Sequence, residues 1–117
     1  MDSLTQKKCK PCEGIGKALT KKEAEHYLSQ TPNWAINDQG TMIAREYIAK
    51  NFMTAVDFIQ KIANIAENED HHPDIHLTGY RKLRIELSTH ALKGLSENDF
   101  IVAAKINELE LTEVKRT

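Results

Sequence analysis

The segment from Asn51 to Asp70 constrains the fold more than any other stretch. Asn51 is a good helix N-cap, since its side-chain oxygen can accept an early backbone N–H. Phe52, Ala55, Val56, Ile59, Ala63 and Ala66 then recur at the spacing of one helical face. Met53, Phe58, Ile62 and Ile65 widen the apolar surface beyond a single stripe. Such a helix must cover another apolar layer, and it has apolar area to spare, which suits either deep burial or contact between copies. Its end breaks a local rule. A helix C-terminus favours cations, yet Glu67, Glu69 and Asp70 lie there, with no Lys or Arg after Lys61. Local rules are often broken where a site is being served. Pro73 then forces His72 out of helical geometry, so His71 and His72 leave the helix where side chains can turn towards a cleft.

The flanking segments supply the layer this helix must cover. Thr20-Lys-Lys-Glu23 has the form of a capping box and opens a helix with Ala24, Tyr27 and Leu28 on one side; Pro32 ends it. Trp34 to Asn37 predicts a short strand, Asp38-Gln39-Gly40 a turn, and Thr41 to Ile48 the partner strand, with Trp34 as a core anchor. After Pro73, Asp74 to Thr78 alternates, with Ile75 and Leu77 on one face and His76 on the other. Leu83, Ile85 and Leu87 alternate with Lys82, Arg84, Glu86 and Ser88, a half-buried strand ending at Thr89-His90. Ser96-Glu-Asn-Asp99 starts a last helix that buries Phe100, Ala103, Ala104, Ile106 and Leu109. The order α-β-β-α-β-β-α predicts a two-layer α+β domain, an antiparallel four-stranded sheet with helices on one face.

With 117 residues there is room for one core. The reading is an irregular, mobile leader over 1–19, a domain over 20–111 and a tail over 112–117. A net charge of −1 gives no nucleic-acid footprint. No apolar run approaches the roughly 20 residues of a membrane span, and the polar start lacks a signal-peptide core, so a cytoplasmic protein is expected. Cys9 and Cys12 form Cys-Lys-Pro-Cys. A redox pair or half a zinc site would use this spacing. The surrounding strand and helix of a redox motif and a second cysteine pair are both missing, which favours a reduced pair in the leader.

Glu67 to His76 concentrates three histidines and several carboxylates, and His90 follows at a strand end. Imidazoles titrate near about 6.5 and can give or take a proton near neutrality. Three readings fit: acid–base catalysis by histidines converging from two elements, a metal site, or an interaction module whose histidines cap a helix. Adjacent His71 and His72 diverge in extended backbone, which disfavours joint ligation of one ion.

Glu67-x-x-x-His71-His72-Pro73, then Tyr80, Ser88-Thr89-His90, Gly94-Leu95 and Asp99 closely resemble the pterin-4a-carbinolamine dehydratase family, over about Thr20 to Leu109. Six residues separate Pro73 from Tyr80, one more than in animal members, and the leader lies outside the family's common core. The resemblance implies removal of water from a 4a-hydroxytetrahydropterin to give quinonoid dihydropterin. That reaction recycles the cofactor of aromatic amino-acid hydroxylases. It implies no metal and no organic cofactor. His71 and His90 match the general acid/base histidines, and His72 the third active-site histidine, chiefly a substrate contact. Glu67, Pro73, Ser88, Thr89 and Asp99 match substrate-side positions. The resemblance also implies homodimers or homotetramers, a functional link to a hydroxylase, and, in animal relatives, a transcription-cofactor role. Some relatives serve other pterin pathways. His76 is outside the motif.

Overall fold

The computed structural model describes residues 4–10 and 16–111. The elements follow in the expected order: α1 (Lys21–Leu28), β1 (Ala35–Ile36), β2 (Ile43–Ile48), α2 (Phe52–Glu69), β3 (Asp74–Thr78), β4 (Lys82–Leu87) and α3 (Glu97–Asn107). Two short 3-10 turns, Leu4–Gln6 and His90–Leu92, were not foreseen. The strands form one antiparallel sheet in the order β1-β2-β4-β3, so the two-layer α+β expectation holds.

Alternation decides which side faces the helices. β4 turns Leu83, Ile85 and Leu87 inward, and β2 sets Ile43 opposite Leu87 and Tyr47 opposite Leu83. α2 lays Phe58 and Ile62 on this surface, with the Tyr47 and Phe58 rings 4.9 Å apart. Burying a side chain of Phe58's size contributes about 2 kcal/mol. The opposite face of the sheet is polar: Arg84 donates to Glu86 at 2.7 Å, and His76 meets the same carboxylate at 3.1 Å.

α2 buries Ala55, Phe58, Ile62, Ala66 and Glu69. Phe52, Met53 and Val56 stay 49%, 71% and 39% exposed. Two apolar stripes compete for one contact surface, and the sheet and α3 take the stripe through Phe58. Both caps read from sequence are present: Thr20 and Glu23 exchange bonds of 2.9 and 3.1 Å, and Asn51 accepts from the Thr54 N–H at 2.8 Å. Trp34 is buried and donates to Asn107 at 2.8 Å.

α3 is buried on nearly every side, including Phe100 to Ala103. α1 covers it with Tyr27, whose ring stacks 5.4 Å from Phe100. The amino-terminal residues cover another side, which corrects the expectation of a mobile leader for residues 4–10. Leu4 is in the core cluster, Lys7 pairs with Glu97 at 2.7 Å, and the backbone of Cys9 and Lys10 is hydrogen-bonded to Glu69 and Asn98. An apolar anchor at Leu4 and buried polar partners on α2 and α3 give this stretch a docking surface. Cys12 and the carboxy-terminal tail lie outside the described residues. Among the described residues, no helix is long and apolar enough to cross a membrane.

Candidate active site

The end of α2 turns the histidine pair. Asp70 caps the helix in left-handed geometry (φ 51°), its N–H donating to Ala66 and Glu67, and the His71 N–H donates to the Ala66 carbonyl at 3.1 Å. Asp is one of the few residues that enter this region at low cost. The reversal drops His71 beneath the helix end, and the extended backbone before Pro73 then sends the next side chain outward. His71 is buried and His72 exposed, so the divergence expected for adjacent histidines is observed.

Beneath His71 lies a carboxylate with no solvent exposure. Asp99 Oδ1 meets His71 Nε2 at 2.6 Å. Its Oδ2 accepts from the Thr89 hydroxyl at 2.9 Å and from the Ser96 N–H at 3.0 Å. Thr89 and Ser96 hydroxyls are 2.7 Å apart. Since Thr89 spends its proton on Asp99, Ser96 donates to Thr89. One carboxylate therefore caps α3, anchors the exit of β4 and holds an imidazole. A carboxylate accepting from Nε2 leaves Nδ1 as the ring atom free for proton exchange.

The sheet brings the second half of the site to the same corner. Asp74 of β3 pairs with Glu86 of β4, so His71 and Thr89 each leave the sheet at the same end. Thr89 bridges to Gly94, its N–H donating to the Gly94 carbonyl at 2.7 Å, and the loop between carries the 3-10 turn that starts at His90. His90 is exposed, and its imidazole has no hydrogen-bond partner among the described residues. His72 lies 3.4 Å from the exposed Glu67. Pro73 and Ser88 are half-buried between these groups in sequence. A cavity of about 720 Å³ lies next to this corner; Asp70, Ala91, Leu92, Lys8, Cys9 and Lys10 are among the residues that line it, and the three candidate histidines are not.

Two expectations change. Asp99 and Thr89, read as substrate contacts, have their side-chain oxygens committed to His71, Ser96 and each other, and both are buried. They underlie the site rather than line it. The acids at the end of α2 also separate. Glu69 is buried and accepts from Lys105 at 2.5 Å and from the Cys9 N–H at 2.8 Å. Desolvation pushes its pKa up, but these bonds outweigh it and hold the carboxyl below its usual range. Sequence reasoning missed Glu69 and Asn98 as site neighbours; the rule-breaking acid at a helix end was the one signal for Glu69.

Burial, reinforced by Glu69, pushes the Cys9 thiol up to about 12. At that value it is not a reactive thiolate near neutral pH. Among the described residues, no group of three or more His, Cys, Asp or Glu side chains is arranged to hold a metal ion.

The family model described as Pterin 4 alpha carbinolamine dehydratase matches residues 17–109. The chain is 45% identical over 116 residues to the Arabidopsis thaliana mitochondrial protein named pterin-4-alpha-carbinolamine dehydratase 2, covering 97% of this chain and 62% of that one. It is 47% identical over 107 residues to a Methylococcus capsulatus protein given the same family name provisionally, covering 92% and 93%. The chain thus spans under two thirds of the plant relative's length but nearly all of the bacterial one. The crystal structure of a transcriptional coactivator/pterin dehydratase from Brucella melitensis superposes with a TM-score of 0.72 at 33% identity, covering 78% of this chain and 96% of that one. A family model matched over residues 17–109, and relatives 45% and 47% identical over nearly the whole chain, place this chain in the pterin-4-alpha-carbinolamine dehydratase family.

Proposed function

We propose that the chain removes water from a 4a-hydroxytetrahydropterin to give the quinonoid dihydropterin, by histidine acid–base chemistry without a metal. The observation that carries this reading is a buried imidazole, His71, held at 2.6 Å by a fully buried carboxylate beside two exposed imidazoles. Hydroxide is a poor leaving group. An acid protonates the C4a hydroxyl as the C–O bond breaks, a base takes the N5 proton, and the N5 electrons form the N5=C4a bond. One proton enters and one leaves, and the product is water. His71 and His90 are the proton-transfer pair. His72, oriented by Glu67, contacts substrate together with Pro73 and Ser88. Each placed acid or base is worth about 10²–10⁴ in rate.

The test is loss of the 4a-hydroxypterin absorbance on adding purified protein, with chelator present. Acceleration that survives the chelator, and falls in His71→Ala and His90→Ala, is expected. A rate no faster than the spontaneous one sinks the proposal. Its physiological setting, on this reading, is pterin recycling for an aromatic amino-acid hydroxylase in the cytoplasm, although the plant relative is named as mitochondrial.

A second reading has one observation in its favour. Phe52, Met53 and Val56 expose apolar area on α2, which suits a homodimer or homotetramer contact, or docking of a partner as in a transcription cofactor. Light scattering gives the oligomeric state. Partner-dependent oligomer exchange that survives loss of the histidines would favour the binding role over the enzyme.

A further inference from the structure

The residues on either side of the His71–Asp99 pair have an unusual second function. Glu69, two positions before His71, and Asn98, one before Asp99, are buried polar side chains that the amino-terminal strap, residues 4–10, engages: Asn98 through Lys10, and Glu69 through Cys9 on one oxygen while Lys105 of α3 holds the other. The Cys9 N–H donates to Glu69 Oε1 at 2.8 Å. The Lys10 N–H donates to Asn98 Oδ1 at 2.9 Å, and Asn98 Nδ2 donates back to the Lys10 carbonyl at 2.7 Å. The Cys9 thiol faces the Asn98 carbonyl at 3.6 Å, and Lys8 Nζ donates to the Asn68 carbonyl at 2.7 Å. Further along, Lys7 pairs with Glu97, which also accepts from Tyr27 at 3.0 Å. Apart from the Tyr27 bond, which comes from α1, each of these bonds joins the strap to the end of α2 or the start of α3. Those are the two helix ends that carry the imidazole and its carboxylate.

We propose that the strap is a working part of the site: by clasping Glu69 and Asn98 it positions the His71–Asp99 pair, and its residues Lys8 to Lys10 wall the cavity beside it. The physical case has two parts. A pair held at 2.6 Å between two helix ends keeps its geometry only if those ends keep theirs, and direct α2–α3 contact here is supplemented by a backbone that bonds both. Buried amide and carboxylate groups are costly without partners, so Asn98 and Glu69 hold the strap in place as firmly as it holds them. Lys8, Cys9 and Lys10 are among the residues that line the neighbouring cavity, so the strap forms part of its wall. Glu69, Asn98 and the strap backbone are positioning groups; none touches the reacting atoms.

The proposal rests on the dehydratase reading for its kinetic test but not for its spectroscopic one. Lys10→Pro removes the strap N–H that Asn98 accepts and restricts the backbone at Cys9, leaving the Leu4, Glu69 and Asn98 side chains unchanged; Asn98→Ala removes both bonds from the helix side, and Asn98→Asp restores the acceptor alone. Misplacing a proton-transfer group by about 1 Å costs on the order of 10²-fold. We expect kcat in Lys10→Pro and Asn98→Ala to fall about tenfold or more, with a smaller change in KM and partial recovery in Asn98→Asp. The NMR pH titration of His71 in these variants should move, while that of His26, on α1 and away from the strap, stays put. If Asn98→Ala does not fold, Lys10→Pro decides alone. Unchanged kcat and an unchanged His71 titration in folded Lys10→Pro overturn the proposal. A wild-type protein without dehydratase activity overturns the reaction assignment instead, and the His71 titration then still decides the role of the strap.

Discussion

Replacing Asp99 by Asn separates what this carboxylate does for the fold from what it does for His71. Asp99 has no solvent exposure and accepts three bonds, from His71 Nε2 at 2.6 Å, Thr89 Oγ1 at 2.9 Å and the Ser96 N–H at 3.0 Å. An Asn amide of the same shape can keep its oxygen where Oδ2 stands, so Thr89 and Ser96 retain their acceptor. Its NH₂ then faces His71 Nε2. The imidazole must accept there instead of donating, which moves its proton to Nδ1. A charge-assisted bond worth about 1.5–3 kcal/mol becomes a neutral one worth about 1, so stability should fall by only about 0.5–2 kcal/mol. Activity should fall far more, by about 10²-fold or beyond, because the other ring nitrogen, Nδ1, now carries the wrong protonation for its step. Asp99→Ala is the contrast: it leaves a buried imidazole and the Thr89 and Ser96 donors without an acceptor, and should cost about 3–5 kcal/mol. Urea denaturation, kcat at saturating 4a-hydroxypterin and ¹⁵N shifts of His71 measure the three quantities. An Asp99→Asn protein that is folded, keeps its kcat within about twofold and shows His71 still protonated at Nε2 would refute the reasoning.

Other expectations follow from the same contacts. Gly94→Ala places a Cβ 2.9 Å from the Ala18 side chain, so the bridge to Thr89 must shift; a loss of about 1–3 kcal/mol in denaturant unfolding is expected, and an unchanged midpoint would contradict it. Glu69 has a depressed pKa when folded, so its contribution is complete above its unfolded value of about 4.3 and is lost as pH falls through the lower folded value. Wild type should therefore exceed Glu69→Gln in stability by a constant margin near neutrality, and that margin should shrink in acid; a margin that grows in acid reverses the sign and fails. His76, on the polar sheet face with Glu86 at 3.1 Å, is outside the site: His76→Ala should leave kcat unchanged and alter stability by less than about 1 kcal/mol.

Much of this architecture is written locally. The capping box at Thr20, the Asn51 cap and the period-two alternation through Leu83, Ile85 and Leu87 each specify an element from neighbouring residues alone, and each appears as read. The bend at Pro73 and the opposite directions of His71 and His72 are likewise local consequences of backbone sterics. The boundaries were less legible. β4 ends at Leu87 rather than His90, because Thr89 is drawn into a bridge with Gly94.

What the sequence by itself determined, then, was the elements, their order, the polarity of the exit from α2 and the set of histidines at issue. Which stripe of α2 faces inward was open, since Phe52 and Val56 are as apolar as Phe58 and Ile62 and only the sheet could choose. The strand order β1-β2-β4-β3 was also left to tertiary pairing. So was the role of Asp99: its capping sequence explained it locally, and only the approach of α2 to α3 put His71 on its other oxygen. The amino-terminal strap was the least legible part, being polar and irregular in isolation. It becomes structured because Leu4 finds the core and its backbone finds Glu69 and Asn98, partners roughly 60 and 90 residues away along the chain. No periodicity or spacing encodes such contacts; they exist because folding brings the ends of two helices together and leaves their buried polar groups in need of a partner.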